Sequence, residues 1–187
     1  MATNLTGQSD AGEGRLKVPL SDRDHVAGPA DAPLTLIEYG DYQCPHCGKA
    51  YGIVEQVRER FAGRLRFAFR HFPLAKMHPK ARLAAEAAEE AAVQGKFWDI
   101  HRLLFEHQKD LDPAHLLEYA KAAGLDEDRF RRDLEGHVHA ARVQEDVSGG
   151  VRSGVNGTPT FFINGRRHNG GYELESLVDG LTEAGGT

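Results

Sequence analysis

Both cysteines of this chain fall within four residues, Cys44-Pro45-His46-Cys47, and that placement constrains the fold. No cysteine is left to staple distant segments, so an apolar core has to hold the chain together. The motif also sits where the hydrophobic period changes. Leu34 to Gly40, ahead of it, reads as a buried strand with Leu, Ile and Tyr. Behind it, Ile53, Val54, Val57 and Phe61 recur at helical spacing. Pro45 suits a first helical turn, where its missing N–H would be unpaired in any case. A dithiol between a strand and a helix N-terminus is a redox arrangement.

The remaining pattern predicts an α/β chain. Leu65 to Phe69 alternates like a second strand. Helical patterns then cover Pro79–Gln94, Phe97–His107, Ala114–Ala123, Asp126–Leu134 and His137–Arg152. Asp112 with Pro113, and Asp126, are the caps. Thr160 to Ile163 reads as a strand, Asn164-Gly165 as a hairpin turn and Leu174 to Ala184 as a last helix. At 187 residues the expectation is one domain over 25–187. Its α/β core covers about 32–75 and 155–184 and flanks a helical insertion at about 76–154. Residues 1–24, rich in Gly, Ser, Thr and Asp, read as a flexible N-terminal extension.

A net charge of −5 without a basic tract argues against nucleic acid as a partner. No apolar run has membrane-spanning length, so no membrane partner is expected. The first residues lack a basic and apolar leader, which points to a cytoplasmic protein. With no heptad pattern, a monomer is expected.

The chemistry follows from the position of the thiols. Only a thiolate attacks a disulfide, and a free cysteine is mostly protonated at neutral pH. A helix N-terminus presents unpaired N–H groups and a positive dipole end, which favour the thiolate of Cys44. His46 adds a donor, or a cation when protonated. Stabilising the thiolate stabilises the reduced state and makes the disulfide a stronger oxidant. Cys44 is therefore the expected nucleophile, and Cys47, one turn in, the resolving thiol. A bare pair of this spacing also fits half a zinc site, but zinc takes four ligands and no further cysteine exists. No metal and no cofactor is expected, since the dithiol is itself the redox centre.

Glu38-Tyr-Gly-Asp-Tyr-Gln-Cys-Pro-His-Cys and the later Gly157-Thr-Pro-Thr-Phe-Phe-Ile-Asn-Gly, with a helical segment between them, resemble the DsbA-like branch of the thioredoxin superfamily. The likeness covers about residues 25 to 184. It implies a thioredoxin-like fold, with a central mixed sheet flanked by helices, and thiol:disulfide exchange with protein or peptide substrates. It further implies that Pro159 is a cis-proline against the dithiol and that the Thr158 backbone pairs with a substrate strand. A trans proline opening an edge strand is the alternative. Glu38 matches a buried acid beneath the dithiol, whose raised pKa would let it pass a proton to or from Cys47. An exposed or salt-bridged glutamate is the alternative there.

Tyr42 and Gln43, next to Cys44, are expected to line the substrate groove, while Asp41, compatible with a simple turn residue, is not assigned a role. Phe97 and Trp98 read as packing between layers, and His71, His101, His107 and His115 as surface or satisfied core histidines. Two other functions compete. One is a glutathione-dependent isomerase or transferase acting on a small molecule, which the retained Cys47 argues against. The other is a non-redox, chaperone-like peptide-binding module, which the Pro-His pair argues against.

Overall fold

The computed structural model describes residues 14–185. Strands β1 (His25–Ala27), β2 (Leu34–Gly40), β3 (Leu65–His71), β4 (Thr160–Ile163) and β5 (Arg166–Arg167) form one mixed sheet in the order β1-β3-β2-β4-β5. β2 and β3 run parallel, joined through helix α1 (Pro45–Arg60), because a parallel pair needs a crossover. β1 pairs antiparallel with β3, β4 with β2, and β5 with β4. Five helices lie between β3 and β4: α2 (Ala81–Val93), α3 (Phe97–Glu106), α4 (Pro113–Ala122), α5 (Glu127–Glu135) and α6 (Ala140–Arg152). α7 (Leu174–Gly185) closes the chain's described part.

Strand alternation distributes the core. Leu34 and Leu36 of β2, Phe67 and Phe69 of β3, and Phe161 and Ile163 of β4 join one apolar cluster with α1, α3 and α7. Ile37, Tyr39, Ala68 and Phe162 face the other way, with Phe72 and Val155. Glu38 thus shares its face with Leu34 and Leu36, on the side where Cys44 and Cys47 are buried. The alanines Ala84, Ala87, Ala88 and Ala91 let α2 pack closely into the same cluster. Phe97 stacks on the His25 ring and Trp98 meets Phe67, so both pack between the helices and the sheet.

Three features differ from the sequence reading. Residues 14–24 of the expected flexible extension are pinned; residues 1–13 lie outside the described part. Arg15 bridges to Arg166, and the Leu16 N–H bonds the Gly165 carbonyl. The Arg70 guanidinium bonds the Val18 and Pro19 carbonyls and both carboxylate oxygens of Asp24. β1 is a strand too short for a readable period. α6 starts at Ala140 instead of His137, because His137 adopts the left-handed φ of 49° and interrupts the helix. The Asn164-Gly165 turn has φ of 45° and 76°, the paired positive values of a tight hairpin. Among the described residues no helix is long and apolar enough to cross a membrane.

Candidate active site

Cys44 is the N-cap of α1, in extended conformation, and Pro45 and His46 stand exposed in the first turn. Both cysteines are free thiols; Cys44 is 4% exposed and Cys47 is wholly buried. The Cys44 thiol points at the Thr158 carbonyl, with Sγ 3.5 Å from the oxygen. The Thr158–Pro159 peptide is cis, so the turn before β4 and the start of α1 form one site from segments 114 residues apart.

The two thiols are electrostatically unlike. Cys44 is drawn down to about 5, first by the Cys47 thiol donating to it, against its own burial. The Cys47 and His46 backbone N–H groups and the Thr158 side chain help. Burial, the shared hydrogen bond and the charges of Glu38 and Cys44 push Cys47 far above the ordinary thiol range. The Asp41 N–H donates to the Cys47 sulfur at 3.4 Å. The Thr158 hydroxyl is buried and has no hydrogen-bond partner, which leaves it able to donate to a Cys44 thiolate.

Glu38 is 2% exposed, and its Oε1 has no hydrogen-bond partner. Burial, and then the Cys44 charge, raise its pKa to about 8, so at neutral pH it is mostly a neutral acid. A buried, unpaired carboxyl next to a dithiol can hold or give a proton.

The His46 ring is exposed, with Nδ1 2.9 Å from the Tyr172 hydroxyl, and the His46 backbone N–H helps draw down the Cys44 thiol. Two groove expectations are corrected. Tyr42 is 1% exposed, its hydroxyl 3.0 Å from His101 Nδ1 among Phe69, His71 and Phe105. Gln43 turns inward, its Oε1 accepting the Lys80 N–H at the start of α2. The strand's alternation and the turn's closure set both directions, and adjacency to Cys44 does not imply exposure.

Two residues hold the site that sequence reasoning left unassigned. Asp41 is buried beneath the turn. Its Oδ1 accepts the Gln43 and Cys44 N–H groups, at 2.7 and 3.2 Å. Its Oδ2 accepts the Leu74 N–H and meets His78 Nδ1, both at 2.8 Å. The bonds to positions two and three ahead are a side-chain turn that an Asp in this spacing signals. Gln108, after α3, donates from Nε2 to the Tyr42 and Cys44 carbonyls, each at 2.8 Å, and carries no such signal.

Among the described residues, atoms able to ligate a metal come within 4.8 Å of one another in two other places, His25–His71–Glu89 and Glu90–Asp133–His139. In both, the glutamate already meets a histidine ring and has an arginine beside it, Arg142 at 3.9 Å and Arg129 at 3.1 Å. That is the chemistry of buried ion pairs.

A family model described as Thioredoxin matches residues 20–181. The Na(+)/H(+) antiporter NhaA 1 of Salinispora arenicola is 51% identical over 170 residues, covering 90% of this chain and 26% of that protein. The chain thus spans about a quarter of the length of the curated relatives it matches. Oxidised BdbD from Bacillus subtilis superimposes with a TM-score of 0.83 at 27% identity, covering 94% of this chain and 98% of that one. Wolbachia pipientis α-DsbA1 shares the fold, with a TM-score of 0.78 at 23% identity over 91% of this chain and 94% of its own. A fold held in common over nearly the whole described chain, and a family match that takes in both the dithiol and the cis-proline turn, place the chain in the thioredoxin family.

Proposed function

We propose that the protein is a thiol:disulfide oxidoreductase that exchanges disulfides with protein or peptide substrates through Cys44 and Cys47, acting as a monomer. The observation that carries this reading is the asymmetry of the pair. One thiol is acidic and faces the cis-proline turn, and the other is shut away with its proton held.

In the oxidising direction a client thiolate attacks Cys44 Sγ. The Cys44–Cys47 bond breaks, and its electron pair goes to Cys47, which takes a proton from neutral Glu38. A second client thiolate then attacks the client sulfur of the mixed disulfide and expels Cys44 as a stable thiolate. Two electrons have passed from the client dithiol to the protein, one proton stays on Cys47 and Glu38 regains its own from solvent. Thr158 and Pro159 hold the client chain extended beside Cys44. The electrons reside on the dithiol, and no other cofactor takes part.

A depressed nucleophile pKa stabilises the reduced form, so this disulfide is an oxidant. Such a pair stays oxidised where its surroundings are oxidising, which favours that kind of compartment over the cytoplasmic placement read from the first residues.

A second reading has its own observation. Relatives from several genera, 42% to 51% identical to this chain over about a quarter of their own length, are named Na(+)/H(+) antiporters. The client thiols would then lie on such a transporter.

The test is equilibration in glutathione buffers with thiol trapping, followed by capture of mixed disulfides with a Cys47→Ser variant. A reversible pair more oxidising than thioredoxin's, about −270 mV, and client proteins released by reductant are the expected results. Failure to form a reversible disulfide overturns the reading, and a captured antiporter selects the second form of it.

A further inference from the structure

His46 lies in the first turn of α1, two residues past Cys44, yet its imidazole is held from outside the helix. The holder is Tyr172, on the segment between β5 and α7, with its hydroxyl 2.9 Å from Nδ1 and the rings edge-on at 6.1 Å. That segment is itself fixed. His168 Nε2 donates to the Gly171 carbonyl at 3.1 Å and lies 3.0 Å from the Ser176 hydroxyl, while the Tyr172 ring packs against the main core cluster. Tyr172 also lines a cavity of about 210 Å³ together with Pro159, on the side of the cis-proline turn.

A phenol is a good donor and a poor acceptor, and a neutral imidazole offers one lone pair and one N–H. The natural sense of this bond is from Tyr172 to Nδ1. The hydrogen bond made by one ring nitrogen sets the state of the other. Nε2 then carries the proton, and it makes no hydrogen bond among the described residues.

We propose that Tyr172 is a positioning residue for the dithiol: it fixes the His46 imidazole in the tautomer with its proton on Nε2, a donor kept for the Cys44 sulfur as that sulfur leaves a mixed disulfide. An unfixed ring would present a lone pair at Nε2 part of the time, and a lone pair repels a thiolate. The inference rests on the exchange reaction proposed above.

Two measurements test it. The first is the long-range proton–nitrogen spectrum of the reduced, histidine-labelled protein at about pH 8, where an ordinary imidazole is neutral, with His46 assigned by a His46→Ala variant. The wild type should show the Nε2–H pattern at His46, and Tyr172→Phe should show the averaged pattern of a free ring. The second is the glutathione equilibrium constant of Tyr172→Phe in two backgrounds. In the wild-type background it should move on the order of fivefold toward the disulfide, the scale of one organised hydrogen bond. In the His46→Ala background it should not move. An Nδ1–H pattern in the wild type, an unchanged pattern in Tyr172→Phe, or an equal shift in both backgrounds overturns the proposal. If the wild type forms no disulfide, the exchange reading fails, and the role proposed at the sulfur fails with it. The spectra still decide whether Tyr172 sets the tautomer.

Discussion

The Asp41 carboxylate and the His78 ring meet at 2.8 Å, joining the turn that carries Cys44 to the segment after β3. Asp41 spends its other acceptor positions on the Gln43, Cys44 and Leu74 N–H groups. One buried side chain therefore fixes the Cys44 backbone and the entry to α2 together.

Replacing that carboxylate should cost more than an ordinary surface change. Asp41→Ala leaves buried N–H groups without acceptors, and a loss of about 3 kcal/mol is expected in urea unfolding. The same variant should broaden the pH dependence of Cys44 alkylation, since the turn no longer holds one geometry.

Cys44 should behave as a thiolate well below neutral pH. Ultraviolet thiolate absorbance of the reduced protein should titrate near pH 5, and alkylation at about pH 6 should modify Cys44 alone. The folded pKa lies below the ordinary value of 9.0, so the stabilisation of the reduced form is complete above that value and fades as pH falls through about 5. The glutathione equilibrium measured across that window should shift toward the disulfide at the acid end.

Glu38 has the opposite sign. Its pKa is raised from 4.5 to about 8, so folding is undisturbed below 4.5 and increasingly penalised as pH rises toward 8. Glu38→Gln should therefore stabilise the protein by a few kcal/mol at about pH 8 and by little at about pH 4. It should also slow the exchange step that protonates Cys47. Stopped-flow mixing with a dithiol peptide would show whether rate falls while stability rises.

A β-carbon added at Gly48 would collide with the Gln108 Oε1. Gly48→Ala should push that flexible amide aside and free the Tyr42 and Cys44 carbonyls it now holds. Gln108→Ala should have the same consequence, about 1 kcal/mol for each bond lost. Thermal unfolding of the two single variants and the double variant should be strongly non-additive, because both remove one interaction.

Much of the fold was legible because its signals are local. The strand before Cys44, the helix after it, the Asn164-Gly165 hairpin and the caps Asp112 and Asp126 each depend on a few adjacent residues. What could not be read depends on distant partners. Nothing in the sequence says where Glu86, Glu89 and Glu90 of the Ala-rich α2 point, and all three are buried. His137 answers Glu86, His25 and His71 answer Glu89, and His139 answers Glu90, from elements far apart in the chain. Gln108 belongs to the same class. Tyr42 and Gln43 failed for another reason: a residue beside a nucleophile is aimed by its own backbone, here into the core and toward α2.

The sheet ends in strands of three residues at one edge and two at the other. A protein that takes hold of unfolded or partly folded chains meets many segments eager to pair with any open strand. Long bare margins would turn each client into a seed for aggregation, and short ones offer almost nothing to extend. On the exchange reaction proposed above, capture is confined to the few backbone groups beside Cys44, where contact ends in a sulfur bond that can be broken again.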